Sequence, residues 1–376
     1  MNMKVFQNIF IITLMMVVLG VSTPSWSQTY VSKEGQKIFA MYDEACNKIG
    51  ASQISEAVGI LQEIIAKNVD TSMTRNAKCL IEEIVNPEYD LKPLVREMQM
   101  AQMANDFSEG RMTLPEGKTK EDIYRGIIRN YQEILTQYPD IRRRPAIYSA
   151  IAYCYRYDIR DYNNALLYLH KMVSEYPKSV SVSQAYYSMG ELYCSLRKED
   201  AAADAFSKYL ETKPYLEGSP LSSLQTQLAI NSIVSIYEKQ GKDELCEKTL
   251  LGMIGLVMDK ALIRSLKWRL ARFYRTKKRY NESIALCDGI IAEYYGATLE
   301  ERKNMPTPHE PLLAATQMCI DKEDYVKAKG YCEHILNDFT SKENKSKNEV
   351  LMKKIEEQIK KQNEAVLQKD GRNGGR

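Results

Sequence analysis

The sequence predicts an all-α fold, a right-handed superhelical solenoid of about six or seven helix–turn–helix hairpins. Three observations predict it. First, one order of residues keeps returning, clearest at Ala185–Pro214, where Gly190 leads to Tyr193, Ala202, Phe206 and a closing Pro214; Ala152, Tyr155, Ala165, Leu169 and Pro177 set out nearly the same order before it. Second, Pro139, Pro177 and Pro214 lie 38 and 37 residues apart, each placed to end a helix. Third, 18 Gly and 12 Pro in 376 residues are too few for a chain of many tight β-turns. Internal repetition of this length means units stacked along one elongated core, so the chain length does not count domains.

The elements follow in order. Lys4, the apolar run Ile9–Val21 and the small residues Ser25 and Ser27 around Trp26 form an export signal over residues 1–27, with cleavage expected after Ser27. An uncleaved anchor is the alternative, although the run is short for a span of ~20 residues. The first Cys after it is Cys46, too distant for a lipoprotein anchor. Residues 28–105 read as degenerate helical repeats, with Ala57, Leu61 and Ile64 on one face of Ile54–Lys67 and two helices of poor signature over Thr71–Asn105. Residues 106–120 form a polar loop containing Gly and Pro, longer than a hairpin connection.

Residues 121–340 carry the repeat proper. Second helices place a small residue, then a large one four later and another three later: Ala165, Leu169 and Met172; Ser283, Cys287 and Ile290; Ala328, Cys332 and Ile335. That spacing is one face of an α-helix. The small residue lets two helices approach and the larger ones fill the next layer. Tyr124–Pro139 fits the pattern with Ile127, Tyr131 and Ile134. A second Pro-containing loop covers Gly296–Pro311. Residues 341–369 predict a charged capping helix with Leu351, Ile355 and Ile359 on a stripe, with pairing to another helix as the alternative; residues 370–376 predict a disordered tail.

The chain resembles the tetratricopeptide repeat (TPR) family at Ala185-Tyr186-Tyr187-Ser188-Met189-Gly190-Glu191-Leu192-Tyr193, at Asn231–Gly241 and at Trp268–Tyr274 with Ala271. The likeness covers roughly Tyr30–Phe339 and is strongest over Pro145–Tyr295. Intervals above the family's 34 residues require lengthened turns, one of them at Tyr157–Arg160. The Pro-Lys-Ser that follows the helix at Pro177 is similar to exported bacterial members, some serving outer-membrane assembly and envelope maintenance. The resemblance implies that first helices line a concave groove. In this register the groove shows Tyr153, Arg156 and Tyr157, then Gln184, Tyr187 and Glu191, then Asn231 and Glu238, then Trp268, Arg272 and Arg275. Tyr187, Trp268, Arg272 and Arg275 are the expected anchors, since aromatic and Arg side chains dominate interface energetics. Ser149 and Tyr153 stand where chaperone-binding members carry a Lys/Asn carboxylate clamp, so capture of a C-terminal carboxylate in that manner is not implied.

Charge and chemistry narrow the function class. Net charge is +3, with ten Lys/Arg against six Asp/Glu in Ser341–Arg376, so the body is near neutral and lacks the broad basic face that nucleic acid requires. Lys260–Arg279 is the exception, with nine basic residues and no acid. Either a solvated helix face or a site for an anionic envelope polymer (glycan or headgroup) fits it. Three His, no HExxH, no GxSxG and no phosphate loop give no catalytic constellation. Adjacent acids such as Glu82-Glu83 point apart on a helix. Eight Cys without a CxxC pair read as buried thiols, with Cys319 and Cys332 the candidate disulfide and no metal site expected. The expectation is a non-catalytic, cofactor-free exported adapter, periplasmic or outer-membrane-associated, that holds a protein or peptide partner.

Overall fold

The computed structural model describes residues 33–67, 71–213, 220–303, 305–338 and 342–373, and every regular element among them is a helix. The export segment, Pro214 and Phe339 lie outside the described residues. Two compact units divide the chain, Met1–Gly241 and Lys242–Arg376.

Unit 1 contains α1 (Lys33–Gly50), α2 (Ile54–Lys67), α3 (Thr71–Val85), α4 (Lys92–Ser108), α5 (Lys120–Gln137), α6 (Arg144–Tyr153, continued by a π-helical turn Cys154–Ile159), α7 (Tyr162–Glu175), α8 (Val182–Ser195), α9 (Glu199–Glu211) and α10 (Pro220–Lys239). Unit 2 contains α11 (Asp243–Leu256), α12 (Lys260–Thr276), α13 (Tyr280–Gly296), the short α14 (Leu299–Lys303), α15 (His309–Asp321), α16 (Tyr325–Asp338) and α17 (Lys342–Asn373). α17 runs to Asn373, four residues past Lys369, where a disordered tail is expected from the sequence; the Lys-, Glu- and Gln-rich stretch before it favours helix, while nothing in Asp370-Gly371-Arg372-Asn373 itself explains the continuation.

The small-large-large spacing is the core of each second helix. Ala57, Leu61 and Ile64 are completely buried on α2, as are Ala328, Cys332 and Ile335 on α16. Ala165, Leu169 and Met172 on α7, Ala202, Phe206 and Tyr209 on α9, and Ser283, Cys287 and Ile290 on α13 take the same places. Each large apolar side chain buried there contributes roughly 1.5–3 kcal/mol. Gly190 of α8 shows why the small positions matter: a Cβ there would stand 2.6 Å from the Phe206 ring of α9.

First helices stop in a common way. Ser52, Arg197, Lys278 and Glu323 take left-handed φ of 60°, 57°, 59° and 61°. The next residue donates its N–H five residues back, from Gln53 to Lys48 O (2.8 Å), Lys198 to Tyr193 O (2.9 Å), Arg279 to Tyr274 O (2.9 Å) and Asp324 to Cys319 O (2.8 Å). This is the Schellman closure, which satisfies orphan carbonyls at a helix end. Arg160 is also left-handed, but Asp161 N reaches Tyr155 O, six residues back, at 2.8 Å. The added residue is the lengthened turn expected at Tyr157–Arg160, taken up inside the helix as a π turn.

The insertions are pinned by their own side chains. Asp106 accepts from the Arg111 side chain at 2.7 Å and, through its carbonyl, from the N–H of Arg111 and Met112; Thr119 and Asp122 form a capping box that starts α5. In the later loop Arg302 donates to Tyr294 O and Ala297 O, closing α13. α17 packs Ile355 against the α15–α16 core, with Leu351, Met352 and Ile359 half-buried beside it. Periodicity gives no hint of one interior feature: Arg143 donates to both oxygens of the fully buried Glu97 at 2.5 and 2.8 Å, with Glu83 at 3.4 Å. Such a bidentate pair fixes the approach of α6 to α4.

Candidate functional site

In unit 1 the candidate face is built from α6, α8 and α10. The π turn sets its first part. Tyr153, Cys154 and Tyr155 are buried, whereas Arg156 is half-buried and Tyr157 is 38% exposed. The wider turn sets the Tyr157 ring against that of Tyr153, centroids 4.5 Å apart and planes tilted by 41°, and leaves the Arg156 guanidinium 4.5 Å over the Tyr157 ring. Cation–π contacts of this kind contribute about 0.5–2 kcal/mol. Arg156 Nη2 then donates to Glu191 Oε2 of α8 at 3.0 Å. Burial alone would lower the Arg156 pKa, but Glu191 outweighs it and the guanidinium stays charged. Burial pushes the Tyr157 hydroxyl up to about 12, so it serves as a neutral donor.

A second bond links the next pair of first helices: Gln225 of α10 donates to Gln184 Oε1 of α8 at 3.1 Å. Asn231 and Glu238 lie half-buried further along α10. Of the expected groove residues in this unit, Arg156, Tyr157 and Glu191 form one contact group, and Gln184 belongs to the polar row beside it. Tyr153 and Tyr187 depart from the expectation. They are 3% and 2% exposed, and Tyr187 sits inside its own hairpin, 5.7 Å from Phe206 and 5.2 Å from Tyr209. Tandem Tyr186-Tyr187 explains the difference, because spacing alone does not say which of two adjacent aromatics turns inward.

Two residues of this region escaped the sequence reading. Gln225 is 5% exposed and bridges two helices, yet it lies upstream of the signature at Asn231. Asp158, in the π turn, has a side chain only 1% exposed with Lys120 Nζ 3.9 Å away. Burial pushes its carboxyl up to about 6, opposed by Lys120 and the Tyr124 hydroxyl. An acid directly after the tyrosine-rich run Tyr153, Tyr155 and Tyr157 is the signal the sequence offers.

In unit 2, Trp268 is half-buried against the α13–α15 core, and Arg272 and Arg275 are exposed. Cys319 and Cys332 are both free, buried thiols, with Cys332 Sγ 3.8 Å from Asn348 O of α17. Burial pushes the Cys319 thiol up to about 11 and the Cys287 thiol up to about 12, which disfavours the reactive thiolate. Among the described residues no group of three or more His, Cys, Asp or Glu could hold a metal ion, and no helix is long and apolar enough to cross a membrane.

Comparison with known proteins places one segment. Residues 150–179, from the end of α6 through α7, match the family "Tetratricopeptide repeat". No curated protein matches the chain. Similar solved structures include the apo form of RapI, 13% identical with a TM-score of 0.48 over 84% of this chain and 80% of that one. A tetratricopeptide repeat protein from Parabacteroides merdae ATCC 43184 is 14% identical with a TM-score of 0.32 over 83% and 99%. A human IFIT1 dimer with PPP-AAAA is 14% identical with a TM-score of 0.26 over 97% and 86%. The reading of the surface therefore comes from this chain's own side chains.

Proposed function

We propose that this chain, with a tetratricopeptide repeat at residues 150–179, is a non-catalytic adapter that binds a protein or peptide on the exposed face of its first helices. The observation that carries the reading is the π turn and its contacts: Tyr157 stands exposed, and Arg156 is stacked on it and tied to Glu191. Side chains held this way lose little rotamer freedom when a partner arrives, so less ordering cost opposes binding. π turns inside α-helices concentrate at functional positions. Gln184, Gln225, Asn231 and Glu238 supply the hydrogen-bonding groups that an extended peptide backbone needs. The sequence of residues 1–27 adds that the adapter works outside the cytoplasm, in the cell envelope.

Site-directed photocrosslinking in living cells tests this. A benzophenone amino acid at Tyr157 is expected to trap a discrete partner. The same probe at Leu167, 48% exposed on the second helix α7, is expected to trap none. Equal capture from both positions would show that the first-helix face is not the binding surface. Recovery of the trapped species from the envelope fraction checks the location.

A further inference from the structure

α12 is a helix without a carboxylate: Lys260–Thr276 contains six Lys or Arg and no Asp or Glu. Much of the surrounding basic stretch is neutralised within unit 2. Arg264 pairs with Glu293 at 2.8 Å, Lys277 with Asp243 at 2.7 Å, and Arg279 with Glu247 at 2.7 Å and Glu282 at 3.0 Å. Lys260 acts on Glu301 of the short α14. Lys267 is half-buried and Lys278 lies in the turn beyond the helix. Arg272 and Arg275 differ from the other cations of the helix; Lys278, also exposed, stands outside it in the turn. Both arginines are exposed, and no carboxylate among the described residues pairs with either. They continue one helical stripe that begins at Trp268, because residues four and seven apart share a face. The indole is held on its inner side by the α13–α15 core and open on the other.

We propose that this stripe is a docking site for an acidic segment of a partner protein, with two carboxylates on Arg272 and Arg275 and an apolar side chain on Trp268. It extends the protein-binding reading to unit 2 and rests on that reading. Guanidinium forks match carboxylates bidentately, and an adjacent indole offers apolar area to a peptide side chain. A long polyanion gains most from an unbroken track of unpaired cations, since each neutralised charge releases counterions. Here the cations that would extend the track, Arg264, Lys277 and Arg279, are already held by carboxylates. Two open arginines beside a tryptophan fit a short acidic-apolar sequence better.

The test uses the full chain and a fluorescein-labelled peptide of repeating Asp-Glu-Leu, read by anisotropy at moderate salt. Arg272→Glu with Arg275→Glu is expected to weaken binding by on the order of tenfold or more per arginine, the usual effect of losing a charge-assisted hydrogen bond. Trp268→Leu is expected to weaken it several-fold without altering charge. Lys248→Glu with Lys353→Glu, exposed positions elsewhere in unit 2, makes the same change in net charge and is expected to bind as wild type. Circular dichroism melts check that all variants are folded. An equal loss in the control pair, or no peptide binding by wild type, overturns the proposal. Tight binding of inorganic polyphosphate without binding of the peptide overturns it in favour of a polymer surface. Peptide binding that survives Tyr157→Ala separates this site from the unit 1 face, so either can fail alone.

Discussion

Gly190 and Phe206 are two ends of one contact, since the space a Cβ would need is filled by the aromatic ring. Gly190→Ala gains about 1 kcal/mol of helix propensity but forces a buried ring aside, at a cost of about 1–3 kcal/mol. The expected net loss is about 1 kcal/mol by denaturant titration, and Phe206→Leu in the same chain should recover part of it. Additive losses in the double variant would show that the two positions do not communicate. Asp43 and Asp158 make a different residue-scale case. Burial pushes their carboxyls up to about 7 and about 6 from an ordinary 3.8, each opposed by a nearby cation, Arg111 and Lys120. The folded chain therefore keeps protons that the unfolded chain releases between roughly pH 4 and 7, and stability from these groups falls as pH rises through that window. Asp43→Asn should flatten the decline of melting temperature between pH 5 and pH 8. An unchanged slope would show that Asp43 titrates normally.

At the scale of the element, the turns repeat more faithfully than the helices they end. Ser52, Arg197, Lys278 and Glu323 occupy left-handed backbone without being glycine, whereas Gly241 meets the same need at φ 67°. A side chain in that conformation costs roughly 1–2 kcal/mol, of which the extra chain entropy of glycine returns only part. Arg197→Gly should raise stability by about 0.5 kcal/mol and Gly241→Ala should lower it by about 1 kcal/mol; a loss for the first variant would mean that the Arg197 side chain stabilises the turn. The same elements show what a reader of the sequence can and cannot see. Small-large-large stripes at Ala57, Ala165 and Ala328 are legible because burial at i, i+4 and i+7 leaves a periodic trace. The inward turn of Tyr187, the bridge from Gln225 and the Arg143–Glu97 pair are not, because each is set by contacts across tens of residues. Arg156, Tyr157 and Glu191 were legible as a group only through the repeat register.

For the whole molecule, the eight thiols report on both units at once. Cys79 and Cys194 are exposed, while Cys46 and Cys154 in unit 1 and Cys246, Cys287, Cys319 and Cys332 in unit 2 are buried. Under native, non-reducing conditions a thiol reagent should label two sites quickly, and the other six should appear only with denaturant. A total of six in denaturant would instead mean that one pair is oxidised, with Cys319–Cys332 the first to map. The π turn has a consequence for how such a chain can change over generations. One surplus residue within Cys154–Ile159 is stored without breaking the helix or shifting the hairpin that follows it. Single-residue insertions and deletions in first helices thus become a source of variation in their own right. Each such event turns the side chains inside the widened turn, here Arg156 and Tyr157, to a new bearing, and a fresh set of contacts is offered to partners before any residue type has been exchanged.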